Sequence, residues 1–343
     1  IADTAVPIDG RLELDLAGET TFRRWSGTAR FAHGPLSLAL SGTLAFLAEQ
    51  QLPKLTLDAR IATAPCADLL ATLPVALRAG LDGLRLDGRL GGGILVDYDP
   101  AEANRARLVS RLEVDCHALT EPLAADVSTR ASPFSHRFTD GTARTIGPVG
   151  EGFVEIATLP RPVLGAFVAA EDPGFFAHRG FEPDEILRSV IVDLEAGRVI
   201  RGGSTISQQL VKNLYLTRER TVARKLNEAI ITWRLEERID KQRILELYLN
   251  VIQLGEGIYG LGAAARHWFA KDPAALSASE AAFLATLAPA PVASERRLRA
   301  AGQVGSTTTA RVQAVLDLMR DGGWIDGRAH AKAIMALAVP IAR

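Results

Sequence analysis

The spacing of apolar residues changes period once along this chain, and that change divides it in two. From residue 12 to about residue 116 apolar side chains recur at every second position, as in Leu12, Leu14, Leu16, then Leu36, Leu38, Leu40, then Leu55, Leu57, Ala59, Ile61. Successive side chains of a strand point to opposite faces, so this period builds half-buried strands. Gly18, Gly27, Gly34-Pro35, Gly42, Pro53 and the run Gly91-Gly92-Gly93 punctuate it as turns do. One helix interrupts over 67–79, and Pro74 must bend or end it early because proline removes an amide donor. Residues 121–148 lose the alternation, fill with Ser, Thr, Gly and Pro, and read as a connector. Beyond them the period becomes helical, with helices expected over 161–170, 184–199, 205–216, 221–239, 241–250, 277–287, 307–320 and 326–337. The expected fold class is multidomain: a mainly antiparallel β domain over 1–120 with one helix, the connector 121–148, and an all-α domain over 149–343.

Composition narrows the function. With 343 residues, 48% hydrophobic and 23% charged, the chain fills cores and is not disordered. Its 40 acidic against 39 basic side chains exclude binding of nucleic acid by global charge, so any anion site is local. Only six of the basic residues are Lys, so each position carries information. Two cysteines, Cys66 and Cys116, exclude a Cys-rich zinc module and leave two readings, one disulfide or two buried thiols. No apolar run reaches the ~18 residues that span a bilayer. The chain opens at Ile1 without a signal segment, and an anchor upstream of a trimmed piece is expected.

Chemistry-bearing residues concentrate in four stretches of the second part. Glu171-Asp172-Pro173-Gly174-Phe175-Phe176-Ala177-His178-Arg179-Gly180 ends a helix in turn residues and leaves Glu171 at a helix-to-loop edge. Neighbouring Phe175 and Phe176 would raise its pKa toward that of a working base, whereas taken alone the stretch also reads as a solvated loop with a structural His. Arg201-Gly202-Gly203-Ser204-Thr205-Ile206-Ser207-Gln208-Gln209-Leu210-Val211-Lys212-Asn213 opens onto a helix start, where backbone N–H groups gather and an anion is favoured. Thr205 with Gln208 fits a capping box, and Gln209 with Asn213 and Gln208 with Lys212 stack as a polar stripe. The alternative is a well-capped helix with a hydrated face. The Walker spacing is absent. In the third stretch Arg224 and Lys225 precede Glu228 by one turn, which holds a carboxylate ionised or forms an ordinary surface pair. The fourth, Lys241 to Asn250, reads on its residues alone as an amphipathic core helix with a cap.

Together, in this order, the four stretches closely resemble the peptidoglycan glycosyltransferase family, the transglycosylase module of penicillin-binding proteins and their monofunctional relatives. The matching motifs are Glu-Asp-x-x-Phe-x-x-His-x-Gly, Gly-Gly-Ser-Thr-Ile-Thr-Gln-Gln-Leu-x-Lys-Asn with Ser207 for the second Thr, Arg-Lys-x-x-Glu, and Ile-Leu-Glu-x-Tyr-Leu-Asn after a Lys. A fifth stretch runs from Gly260 to Lys271 and on to the helix around Glu280, so the resemblance covers about residues 150–292. It implies a lysozyme-like helical fold and polymerisation of lipid II on a growing glycan chain, by inverting attack of an acceptor 4-hydroxyl on a donor carrying undecaprenyl pyrophosphate. Glu171 matches the general base and Glu228 the second acid, which assists pyrophosphate departure, commonly with a divalent cation, Mg2+ or Mn2+. Lys212 and Arg220 match the cations on the donor pyrophosphate, and Ser204, Thr205, Gln208 and Gln209 line the same cleft. Asp172, Phe175, His178, Gly202, Asn213, Arg224, Lys225, Glu246 and Asn250 are implied as further substrate-binding positions. Trp268, Ala270 and Glu256 depart from the family pattern, the last bearing on acceptor binding.

The resemblance also implies a place on the periplasmic face of the inner membrane, contact with that membrane surface, a penicillin-binding transpeptidase as partner, and no nucleic acid. Residues 181–200 lie where the family has a membrane-dipping segment; an interfacial helix and a plain amphipathic core helix both fit their pattern. No Ser-x-x-Lys or Lys-Thr-Gly occurs, so the chain reads as monofunctional. The β part is faintly similar to AsmA-type envelope segments. A lytic lysozyme-like enzyme, which would also use Glu171 but has no need of Lys212 and Arg220, and a non-catalytic envelope scaffold remain as competing readings.

Overall fold

The computed structural model describes residues 11–19, 24–46, 53–78, 80–102, 106–120, 127–196, 203–216, 221–301 and 305–336. The chain divides into two compact units, one of Ile1–Asp126, Glu182–Gly203 and Arg218–Asn227, the other of Val127–Phe181, Ser204–Thr217 and Glu228–Arg343.

The first unit is built on an antiparallel sheet. Strands β1 (Arg11–Glu19), β2 (Arg24–His33), β3 (Leu36–Ala45) and β4 (Lys54–Pro65) run as a meander. Helices α1 (Cys66–Thr72) and α2 (Val75–Arg78) and the short β5 (Arg85–Asp87) intervene before β6 (Arg89–Tyr98), β7 (Ala106–Ser110) and β8 (Glu113–Val114). β6 pairs with β4 on one edge and with β7 and β8 on the other, while β9 (His117–Thr120) pairs with β5. The helix expected over 67–79 is broken at Leu73-Pro74, where proline was expected to act.

Register sorts the sheet into two faces, as a period of two requires. Leu16, Gly27, Gly42, Leu57 and Val96 stand in one ladder row, and Asp15, Thr28, Ser41, Asp58 and Leu95 in the next row on the opposite face. The apolar face is open at its β1 end, where Leu14 is 62% and Leu16 78% exposed. Gly92 adopts φ +113°, and a Cβ there would lie 2.1 Å from the Arg111 carbonyl oxygen, so only glycine fits the irregular step between β7 and β8. Cys66 and Cys116 form a disulfide with Cα atoms 5.8 Å apart, which decides between the two readings of the cysteines. Helix α3 (Arg161–Glu171) belongs to the other unit; α4 (Pro183–Ala196) belongs to this one and packs on β7. Residues 197–200 of the expected amphipathic segment lie outside the described residues.

The second unit is helical with two short hairpins, so it is not all-α. β10 (Phe134–Arg137) pairs with β11 (Ala143–Ile146) inside the stretch expected as a connector. That hairpin is packed, with Phe138 stacked on Tyr259 at 4.4 Å between centroids and Thr139 Oγ1 2.7 Å from the Tyr259 hydroxyl. Four-residue strands are too short to show a period, and the polar residues that suggested a linker form the turn at Asp140-Gly141. Residues 121–126 lie outside the described residues.

The helices are α3, α5 (Ile206–Tyr215), α6 (Val222–Arg238, in this unit from Glu228) and α7 (Lys241–Val251). After the hairpin β12 (Gln253–Gly255) and β13 (Ile258–Tyr259) come α8 (Leu261–Phe269), α9 (Ala278–Leu287), α10 (Pro291–Ala301), α11 (Ser306–Asp321) and α12 (Gly327–Met335). Both expected capping boxes are present, Thr205 with Gln208 and Ser277 with Glu280. α9 is buried all round from Ala281 to Leu287, which makes it the centre on which α3 and α11 pack. No described helix is long and apolar enough to cross a membrane.

Candidate active site

Helix α3 ends at Glu171 because Pro173-Gly174 follow, and Asp172 closes its last turn by donating N–H to the Val168 carbonyl at 2.9 Å. The loop that begins there is fastened to α5. The buried Asp172 carboxylate accepts hydrogen bonds from His178 Nε2 at 2.9 Å and from the Ile206 backbone N–H, at the start of α5, at 2.9 Å. His178 Nδ1 accepts from the Gly180 N–H at 3.0 Å, so Nε2 carries the proton donated to Asp172. Thr205 Oγ1 donates to the Gly180 carbonyl at 2.7 Å.

The far end of the loop lies against α6. Gly180 has φ +87°, and a Cβ there would sit 2.9 Å from Thr232 Cγ2 and 3.0 Å from Glu236 Cγ. Ser207 Oγ donates to Glu236 in a very short hydrogen bond, Lys241 Nζ donates to the same carboxylate oxygen at 2.8 Å, and that ammonium stands 4.3 Å over the Phe175 ring. The segment following Glu171 is therefore held by α5, α6 and α7 at once.

Glu171 itself is half-buried. Gln209 Nε2, one turn beyond the cap of α5, donates to its Oε2 at 2.7 Å. Burial raises the Glu171 pKa above the usual carboxylate value; the Gln209 hydrogen bond and the Lys212 charge pull it back, and the Asp172 charge adds to the rise. Desolvation leads, so this carboxylate binds a proton more tightly than a surface acid does.

The remaining expected site residues fall into four groups. Lys212 is exposed on α5, Asn213 is half-buried beside it, and Ser204 is half-buried ahead of the cap. Phe175, Thr205, Gln208, Glu246 and Asn250 serve the frame. Phe175 is fully buried, Thr205 and Gln208 close the capping box, Glu246 accepts from the Ile156 N–H at 2.9 Å, and Asn250 exchanges two 2.8 Å hydrogen bonds with the Val154 backbone. Asp172 and His178 likewise hold the loop. Glu228 is 3% exposed on α6, in one row with Thr232 and Glu236, and Arg224 and Lys225 precede it by one turn on the same helix. Gly202 and Arg220 lie outside the described residues.

Sequence reasoning missed Glu236, which ties Ser207 to Lys241, and Tyr248, a fully buried phenol whose ionisation is opposed by burial first and then by the Glu171 and Asp172 charges. Tyr248 stands inside the apolar row of α7, where nothing marks its hydroxyl as different from core.

Glu171 is thus a desolvated carboxylate at a helix end, hydrogen-bonded by one amide and under the charge of one ammonium, the kind of perturbed acid that gathers at functional sites. The family model described as Transglycosylase matches residues 142–320, more than half of the chain, and the chain belongs to that family. Penicillin-binding protein 1A of Aquifex aeolicus is 48% identical over 162 residues, covering 46% of this chain and 22% of that protein. The biosynthetic peptidoglycan transglycosylase of Methylobacillus flagellatus is 45% identical over 152 residues, covering 44% of this chain and 66% of that protein. The chain thus spans only part of the relatives it matches. The crystal structure of penicillin-binding protein 1A from Haemophilus influenzae gives a TM-score of 0.32 at 23% identity, over 62% of this chain and 22% of that one.

Proposed function

We propose that this chain is a peptidoglycan glycosyltransferase that polymerises lipid II, with a lysozyme-like helical unit as its catalytic part. The observation that carries the reading is Glu171, half-buried, raised by desolvation and oriented by Gln209. Its membership of the transglycosylase family supports the same reading.

In the proposed reaction the acceptor 4-hydroxyl loses its proton to Glu171 as its oxygen bonds to the anomeric carbon of the donor. The bond from that carbon to the pyrophosphate oxygen breaks, and its electron pair leaves with the undecaprenyl pyrophosphate. A pyrophosphate needs positive charge more than a proton, and Lys212, with Arg220, is assigned to supply it. Glu228 assists on the leaving-group side. Mg2+ or Mn2+ is the expected cation, but no group of three or more His, Cys, Asp or Glu among the described residues forms a cage for one. Glu228 alone does not make a resident metal site.

The Cys66–Cys116 disulfide supports an oxidising compartment, in keeping with a periplasmic location at the inner-membrane surface beside a transpeptidase partner. The reading is tested by incubating the protein with lipid II and, in parallel, with purified cell wall. Long strands from lipid II are expected. Soluble muropeptides from the wall without strands would establish the lytic reading, and neither product would leave a scaffold.

A further inference from the structure

We propose that Tyr248 is a positioning residue for Glu171, its hydroxyl donating to Glu171 Oε1 in the working enzyme. The inference rests on Glu171 being the base of the reaction proposed above, and it adds a residue that the motif comparison left among the core positions.

Tyr248 lies on α7 and is 0% exposed, and its hydroxyl has no hydrogen-bond partner among the described residues. Buried hydroxyls are nearly always paired, so one left open beside an acid–base site calls for an acceptor. The carboxylates within its electrostatic reach are those of Glu171 and Asp172, which together with burial keep the phenol protonated at any working pH. It is a neutral donor and cannot become a second base.

Elimination chooses the acceptor. Asp172 is occupied, with His178 Nε2 within 2.9 and 3.1 Å of its two oxygens and the Ile206 N–H on Oδ2. Glu171 Oε2 is taken by Gln209, while Oε1 receives no hydrogen bond among the described residues. A donor without an acceptor and an acceptor without a donor thus belong to the same neighbourhood. In the proposed arrangement they come into contact once the half-buried Glu171 side chain turns toward α7, which packs on α5, the helix that carries Gln209. Each carboxylate oxygen accepts more than one hydrogen bond, so Oε1 bound to Tyr248 still has a lone pair for the acceptor hydroxyl.

The chemical consequence is specific. Burial opposes ionisation of Glu171, and a neutral donor on its charged form offsets that opposition while fixing the direction in which the base points. The groups acting on Glu171 are Gln209 and Lys212 from α5 and Asp172, with its His178 partner, from the loop; the proposed arrangement adds Tyr248 from α7, which packs on α5.

The test compares wild type with Tyr248→Phe, following labelled glutamate carboxyl carbons by NMR across pH, with Gln209→Ala as the control that must move the Glu171 midpoint upward. The expected result is that Tyr248→Phe also shifts this midpoint, and the acid limb of kcat/KM, to higher pH. It lowers kcat about tenfold at unchanged KM, the scale of one hydrogen bond to a charged group. A Glu171 titration superimposable on wild type overturns the proposal, whatever the melting temperature does. If the variant does not fold, the Tyr248 ring carbon is followed in wild type: its signal must move at the Glu171 midpoint and lose that movement in Glu171→Gln, and a signal indifferent to Glu171 overturns the proposal equally. Wild type that makes no strands from lipid II would overturn the reaction instead and leave the titration standing.

Discussion

The two units solve the same problem of burying apolar side chains in opposite ways. The helical unit surrounds α9 completely, with Ala281, Ala282, Phe283 and Leu284 at 0% exposure. The sheet unit gathers Leu12, Leu14, Leu16, Leu40 and Leu44 on one face and leaves each of them more than a third exposed. A core closed on all sides is held by packing, whereas an open sheet depends on its ladder hydrogen bonds and, here, on one covalent staple spanning 50 residues. The lesson is that substitutions of like chemistry should have unlike effects in the two units.

The largest stability effect is expected from Phe283→Ala, which opens a cavity in the centre of the helical unit. A loss of about 3–5 kcal/mol, read from denaturant unfolding, is the scale of such deletions, and a loss under 1 kcal/mol would break the contrast. Reduction of Cys66–Cys116, or Cys66→Ala with Cys116→Ala, should cost about 2–4 kcal/mol and appear in the transition of the sheet unit alone. Limited proteolysis followed by peptide mapping would locate the cuts; cuts confined to the helical unit would contradict the assignment.

Between these lies a pH effect at Glu171. Because burial raises its folded-state pKa above the unfolded value, the ionised carboxylate weakens the fold, and this penalty sets in as pH rises through the folded pKa. Glu171→Gln should therefore melt higher than wild type at pH 8, with the difference vanishing below the unfolded carboxylate range. An advantage that grows on acidification would reverse the sign. The smallest effect is expected at Leu16→Ser on the open sheet face, within about 0.5 kcal/mol.

The same contrast governs how much was legible in the sequence. Gly18, Gly27, Gly42 and Gly91-Gly92-Gly93, which read as turns, stand inside β1, β2, β3 and β6, but the alternation of β1, β3 and β4 shows because each keeps a period of two over nine residues or more. The hairpin at 134–146 does not, having four residues a side. Helix α8 escaped because its run Gly262-Ala263-Ala264-Ala265 has no polar face to create a period, and α10 because Glu295, Arg296, Arg297 and Arg299 obscure its apolar one. At the site, Glu171 was legible from the turn residues behind it, and Gln209 and Lys212 from their place after a capping box. What the sequence could not separate is a polar group that faces a ligand from one that fastens the frame. Asp172, His178, Gln208 and Asn250 carry the same residue types either way, and only their backbone partners tell the roles apart.

The central claim is that Glu171 removes the acceptor proton, and single-turnover strand formation from lipid II by Glu171→Gln tests it most directly. The variant keeps the size and the hydrogen bond with Gln209 but cannot take a proton. Strand formation should fall by about 10²–10⁴-fold while the circular dichroism stays that of wild type. Strands formed at the wild-type rate would contradict the account.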